Sequence, residues 1–514
     1  MNARLRYGAV ALLLLASVFS AFAAGEAEAG RKVTKGQNID TLVVAMGADA
    51  RSLDPHATND QPSARVMKLL YNRLMYQSED LQIQNDLVES FKVVSPTVYE
   101  FKLKPNVKFH NGDTLSSSDV KFTFERMAAN KAPALFLVAA LDKVEVIDAL
   151  NFRMTLKFPF SPFISHLAHT ATSIINEKAV KAAGADYGRR PVGTGPFKFV
   201  EWKAGDSIVL ERFDGYHAGP AKSKTVRFRF IPEDANRSIA LETGEADIVY
   251  DVGPNDYKNL AALPTINAMR IPGLTTFYMG FNMAKKPFDD VRVRRAINMA
   301  LDVETATRVS FEGFAVPARG PLAPTVRFAR TDLPGYKYNV AEARKLLAEA
   351  GYPNGFTTSI WTNNNPIRIK YAEIFQEQLR QVGITCTIEI MEFAPYLDRT
   401  ARGEHDMFML GWVAVTGDAD YGMYSLFHST QFGDAGNRTF YKNPEVDRLL
   451  DLGRTSQDPE ARRKAYYDAQ GLVFQDAPWV FLAFREDLNA TRTYVKGFVP
   501  HAAGHHNLYK VYNE

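Results

Sequence analysis

Residues 356–390 read as strand, helix, strand. FTTSIW is a short apolar strand, PIRIKYAEIFQEQLRQVG is a helix that stops at Gly383, and ITCTIEI is the next strand. Strands separated by a helix of that length pair in parallel through a crossover, which is right-handed in nearly all proteins. The run therefore predicts an α/β sheet. HDMFMLGW (405–412) supplies a further strand, so GWVAVTGDADYG (411–422) leaves the sheet at a strand's carboxyl end. In open α/β sheets ligands collect outside those ends. This segment is therefore expected beside a binding site.

The N-terminus bears on location. Arg4 and Arg6 precede an apolar run from Ala9 that ends in Ala21-Phe22-Ala23. This reads as a cleavable secretory signal peptide over 1–23, too short for the roughly 20 apolar residues of a membrane span. No Cys follows the run to carry a lipid anchor. AGEAEAGRKVTKGQNID (24–40) has the composition of a flexible leader. A chain of 514 residues with a net charge of only +3 has no basic stripe for nucleic acid, and its length admits roughly two to four domains. Cys386 is the only cysteine, so the core rather than a disulfide must stabilise the fold. These features describe a large, soluble, exported protein.

Order begins with the strand TLVVAMG (41–47). YEFKLKPNVKFHNGD (99–113) alternates apolar and polar residues around Pro105-Asn106 and is expected to form a hairpin. Ser116–Ser118 cap a helix carrying Val120, Phe122, Phe124 and Met127. KVEVIDALNFRMTLKF (143–158) predicts a second hairpin. Residues 76–189 thus form a mixed insert. The chain changes character at RRPVGTGPFKFVEW (189–202), after which strands recur in SIVLERF, TVRFRFIP and ADIVY.

Several motifs invite chemistry and then fail its requirements. The glycines of PVGTGPF lead into a strand, whereas a phosphate loop leads into a helix N-terminus; Gly193 and Gly195 instead suit a tight backbone crossing. Ser118-Asp119-Val120-Lys121 matches S-x-x-K, but no S-D-N or K-T-G accompanies it, and a helix cap belongs there. Neither G-x-S-x-G nor H-E-x-x-H occurs. His501 and His505 have i, i+4 spacing in HAAGHH, yet Pro500 makes a helix there doubtful, so surface or packing roles compete with metal binding. In GDADYG, counting from Asp418, calcium-loop positions six and twelve are Met423 and Ser429 rather than Gly and Glu, which excludes that loop. A catalytic pair of Asp418 and Asp420, turn or capping duty, and ligand contact remain open.

Taken together, several stretches resemble the dipeptide/oligopeptide class of periplasmic solute-binding proteins, the capture subunits of ABC importers (bacterial extracellular solute-binding family 5). They are SLDPHATND (52–60), VKFHNGDTLSSSDVKFTFERM (107–127), PVGTGPFKFVEWKAGDSIVLER (191–212), LETGEADI (241–248), FNMAKKPFDDVRVRRAINMALD (281–302), YNVAEARKLLAEAGYPNGF (338–356) and DAPWVFL (476–482). The resemblance implies a two-lobed α/β periplasmic-binding-protein fold with a hinge and an extra small domain inserted in the first lobe. The first lobe would comprise 41–75, 190–285 and the return 486–514, the inserted domain 76–189, and the second lobe 286–485. It further implies a non-catalytic periplasmic monomer without cofactor or bound metal. That monomer would capture a peptide-like solute between the lobes and deliver it to transmembrane permease subunits.

The departures bear on the solute. Typical dipeptide and oligopeptide binders carry an Asp three residues after the Gly-Trp tryptophan, pairing with the peptide's α-ammonium; here that position is Val415. The run GW-x-x-x-TG-[acid]-AD is instead similar to the glutathione-binding branch, as are LDP-x-x-x-ND and AGYPNGF-x-T-x-x-W. Glutathione carries its free amine on a γ-linked glutamate, so a displaced carboxylate would suit it. On this resemblance Asp418 is expected to meet the ammonium group and Asp420 to form the turn, with Trp412, Thr416 and Tyr421 along the same wall. Arg51 and Asn59 would contribute from the first lobe, Arg51 as a carboxylate partner. Asn363, Asn364 and Arg368 stand where dipeptide binders keep a carboxylate-gripping Arg, and Tyr278 with Phe277 would supply an apolar floor. Di- or oligopeptides held through backbone contacts, opines, sugars, nickel and haem are the competing cargoes. A secreted hydrolase, or a chaperone-like binder of unfolded chains, is the competing class.

Overall fold

The computed structural model describes residues 40–514. The expected signal peptide and all but the last residue of the expected leader lie outside them. One sheet frames the molecule. In chain order its strands are β1 (Thr41–Met46), β2 (Phe197–Lys203), β3 (Ser207–Arg212), β4 (Thr225–Phe230), β5 (Ile248–Val249), β6 (Ile266–Phe281), β7 (Thr357–Asn363), β8 (Thr385–Met391), β9 (Met407–Val413) and β10 (Trp479–Arg492). Across the sheet they run β8-β7-β9-β6-β10-β5-β1-β4-β3-β2, with Ala315–Pro317 added against β10. β7 pairs in parallel with β8 and β9, and β1 pairs in parallel with β4 and β5. The long antiparallel strands β6 and β10 join these two parallel sets.

Five helices position the site: α1 (Gln61–Leu70), α2 (Pro366–Arg380), α3 (Ala419–Phe427), α4 (Pro444–Thr455) and α5 (Pro459–Asp476). α2 is the crossover between β7 and β8. Asn365 caps it by accepting from the Arg368 N–H, and Pro366 opens its first turn, where a missing N–H costs nothing. Tyr371, Phe375 and Leu379, spaced by four, bury one face against the sheet. Each such burial contributes about 1.5–3 kcal/mol. β7 is buried along nearly its whole length, as befits a parallel strand covered on both faces.

A separate four-stranded sheet is built from Val88–Ser95, Val98–Leu103, Leu141–Val146 and Asn151–Leu156. Here the hairpin expected at 99–113 is corrected. Val98–Leu103 pairs with Val88–Ser95 before it and with Asn151–Leu156, not with the residues after Pro105. Both edges of that strand are already taken, so residues 107–115 close a small arch of their own through Phe109 and Asp113. Packing ties this region to the C-terminal helices: the Phe136 ring lies 5.7 Å from that of Tyr421, and Arg454 Nη2 donates to the Phe136 carbonyl at 2.6 Å. Gly193 and Gly195 cross the end of α1 closely. A Cβ there would stand 2.1 Å from the Leu70 oxygen or 2.3 Å from the Leu69 oxygen.

Candidate functional site

The carboxyl ends of five parallel strands converge on one cavity of about 210 Å³. Gly47 and Arg51 follow β1, Asp234 and Arg237 follow β4, Asp251 follows β5, Asn363 ends β7 with Asn364 and Asn365 after it, and Val413 ends β9 with Val415 beyond it. The amino-terminal end of α1 closes it with Asp60, Gln61 and Arg65. A break in the β6–β10 register between Pro272 and Thr276 turns Thr275 and Phe277 toward it. Proline has no N–H to give the ladder there, and a Cβ on Gly273 would stand 2.8 Å from the Arg485 oxygen. A larger groove of about 670 Å³, lined by Asp302, Tyr336 and Phe484 among others, lies away from these strand ends. Position at the strand ends, not volume, selects the first cavity.

Six arginines and four aspartates line the cavity, so its charge balance is decided by pairing. Arg65 Nη1 and Arg485 Nη2 both donate to Asp251, at 2.6 and 2.8 Å. Burial alone would raise the Asp251 carboxyl, but those two guanidiniums hold it well below the usual range. Arg237 pairs with Asp234, and Arg438 with Asp434. Behind them burial pushes the Asp487 carboxyl up to about 6, against the pull of Arg485 at 3.3 Å. Arg368 differs from the other five. Its Nη1 donates to Asn363 Oδ1 at 2.6 Å and its guanidinium lies 5.5 Å from the Phe277 ring, yet it faces no carboxylate among the described residues. Burial pushes it down from its ordinary value.

The wall around Trp412 is rich in unused donors. His169 Nδ1 accepts from the Ala171 N–H, so Nε2–H donates to Tyr421 Oη at 3.1 Å. Tyr421 in turn donates to Asn59 Oδ1 at 3.2 Å. Asn59 Nδ2 is left without a partner, as are Trp412 Nε1, Thr275 Oγ1 and Arg368 Nε. Orphaned buried donors carry a penalty of about 1–3 kcal/mol each unless something fills the cavity with acceptors.

Of the residues singled out in the sequence, Trp412, Tyr421, Asn59, Asn363, Asn364 and Arg51 line this cavity. Five expectations are corrected. Asp418 does not line it; it caps α3 by accepting from the Asp420 N–H and pairs with Arg462 at 2.9 Å. Asp420 is fully buried, 3.0 Å from Arg454 and 3.2 Å from His166, and accepts from Tyr466 Oη at 3.0 Å. The arginine and histidine contacts are close but fall outside hydrogen-bond alignment. Tyr278 is fully buried, its ring 3.5 Å from that of Trp479, and Phe277 takes the cavity side. Thr416 does not line it; its Oγ1 accepts from the Asp418 N–H at 3.4 Å and its carbonyl from Gln77 Nε2 at 3.2 Å. Arg51 reaches the cavity but is engaged by Asp398 and by Asp434 at 3.2 Å, which takes up the guanidinium expected for a ligand carboxylate. The physical reason for the aspartate corrections is the helix that follows. Residues capping or opening α3 face the helices packed on it, not the strand ends.

Arg65, Asp251, Asp434, Arg438 and Arg485 were not legible as site residues. The nearest signal was the run Arg485-Glu486-Asp487 inside the otherwise apolar strand WVFLAFREDLNATR. His501 and His505 are buried, and among the described residues no group of three or more His, Cys, Asp or Glu could hold a metal ion. No described helix is long and apolar enough to cross a membrane.

Residues 82–434 match the model of the bacterial extracellular solute-binding proteins, family 5. A curated relative, the glutathione-binding protein GsiB of Pectobacterium atrosepticum, is 35% identical over 470 residues, covering 89% of this chain and 91% of its own. The periplasmic binding protein DppA of Helicobacter pylori, solved with the peptide STSA, superposes with a TM-score of 0.87 at 31% identity, covering 92% of this chain and 98% of its own. The oligopeptide-binding protein AppA of Bacillus subtilis, solved with a nonapeptide, also gives 0.87, at 26% identity, covering 93% and 99%.

Proposed function

The chain belongs to the bacterial extracellular solute-binding proteins of family 5, and on that footing we propose that it captures an acidic, peptide-like solute of glutathione size. It does so as the periplasmic, non-catalytic subunit of a peptide-type ABC importer, presenting the loaded form to the permease as a monomer. The two parallel strand sets would belong to two lobes joined through β6 and β10, with closure burying the solute.

The observation that carries this reading is Arg368, a buried guanidinium at the cavity wall with no carboxylate partner among the described residues. An anionic group on the solute supplies that partner, and a guanidinium grips a carboxylate through two parallel bonds. The orphaned donors of Asn59, Thr275 and Trp412 call for further acceptors, which peptide carbonyls provide. A free amine finds Asp434, whose two arginines both occupy Oδ1 and leave Oδ2 without a partner among the described residues. Asp434 takes the role that the sequence suggested for Asp418. The relatives named as glutathione-binding favour that tripeptide over longer chains, as does a cavity of about 210 Å³.

Titration calorimetry of the purified chain tests this with glutathione, oxidised glutathione, α-linked di- and tripeptides and an opine. Glutathione should bind, and Arg368→Gln should weaken it roughly 10- to 150-fold, the loss of about 1.5–3 kcal/mol expected for a hydrogen bond to a charged group. Tight binding of neutral solutes, unaffected by Arg368→Gln, would overturn the reading.

A further inference from the structure

Beside the main cavity lies a side pocket of about 20 Å³ whose walls include Lys68, Arg73, His169, His501 and His505 and not one carboxylate. It shares His169, Thr170, Val415 and His505 with the lining of the main cavity, so the two are neighbours. Arg73 is only 3% exposed, and its Nε and Nη1 have no hydrogen-bond partner. Its sole ion-pair neighbour among the described residues, Asp86, stands 3.8 Å away, beyond hydrogen-bond range. Lys68, in the last turn of α1, makes no hydrogen bond or ion pair among the described residues.

The imidazoles do not answer these charges. His501 Nδ1 accepts from the Ala503 N–H at 3.0 Å, and its Nε2–H is spent on the Ser78 carbonyl at 3.1 Å. His169 is spent on Ala171 and Tyr421, and His505 on Gln61. All three are held neutral by burial, and Lys68 is pushed down to about 7 by the same cause, with Arg73 adding to it. Arg73 keeps two buried donors without a partner and has only the distant Asp86 as countercharge, and an unpartnered buried donor set is where an ion is expected. A water needs about 10–15 Å³, so the pocket has room for one particle of water or halide size.

We propose that this side pocket is a second binding site, which holds one small anionic group between Lys68 and Arg73. The site does not depend on which solute the main cavity carries. Its occupant is a halide from solution or an acidic end of the solute reaching in from the main cavity.

Crystals of the full described chain grown without solute in sodium bromide, with data at the bromine edge, test the first source. An anomalous peak beside Lys68 Nζ and Arg73 is expected, together with a saturable rise in Tm with bromide over gluconate at equal ionic strength. The rise should vanish in Lys68→Met and persist in Lys68→Arg, which distinguishes lost charge from lost packing. Displacement of the peak by an acidic solute whose carboxylate enters the pocket would assign the second source. An ordinary water in the pocket, no difference between bromide and gluconate, and unchanged solute affinity in Lys68→Met would together overturn the proposal. A failure of Arg368→Gln to affect solute binding would leave this site untouched.

Discussion

At the scale of single residues, Asp418 and Asp420 are two carboxylates that the fold gives to the scaffold rather than to the site. Asp420 is fully buried against Arg454, His166 and Tyr466. Burial would raise its carboxyl, but Arg454, then His166 and Arg462, outweigh burial and hold it at about 2. A carboxyl lowered on folding contributes stability that is full above its ordinary 3.8 and fades as pH falls toward about 2. Acid unfolding should therefore steepen below about pH 4, and Asp420→Asn should flatten that slope in urea titrations run from pH 5 to pH 2. At neutral pH the same substitution should cost about 3–5 kcal/mol, because it strands the buried guanidinium of Arg454. Solute affinity measured below the unfolding range should stay within a few-fold of the parent, since Asp420 does not line the cavity.

Among the elements, the crossing of the Gly193–Gly195 segment over α1 is the sharpest steric constraint. A Cβ on Gly195 would approach the Leu69 oxygen to 2.3 Å and the Leu70 carbonyl carbon to 2.5 Å. The neighbouring atoms are backbone and cannot swing aside. Gly195→Ala should lower the urea midpoint by the equivalent of about 1–3 kcal/mol or more, the usual cost of overpacking. Replacement of Gly205, whose φ is +74° but whose surroundings are open, should cost less because only the backbone conformation is strained. A reversed order of the two effects would show that crowding does not govern the crossing.

For the whole molecule, Arg51 links the loop after β1 to Asp398 and Asp434, 347 and 383 residues further along the chain. In the proposed hinge motion this contact spans the two lobes. Both carboxylates are about two-fifths exposed, so each pair is worth about 0.2–1 kcal/mol in water. Arg51→Ala should shift the solute-free population toward the open form roughly two- to fivefold. Small-angle scattering would register this as a larger radius of gyration that solute restores. An unchanged radius, with and without solute, would refute the closure mechanism.

The sequence by itself determined the frame. The strand–helix–strand run at 356–390 dictated parallel pairing, because its periodicities and length leave the chain no hairpin. Gly193 and Gly195 signalled a close crossing, and the ordered set of motifs identified the family. GWVAVTGDADYG pointed to the right end of the right strand. Tertiary structure alone decided which of its side chains face the cavity, since the end of β9 places Trp412 there, and the first turn of α3 sends Tyr421 to the cavity while giving Asp418 and Asp420 to Arg462 and Arg454. It alone also brought together Arg65, Asp251 and Arg485, drawn from α1, the end of β5 and β10. Charge pairing depends on three-dimensional distance and on what water is excluded, and neither is written in local periodicity.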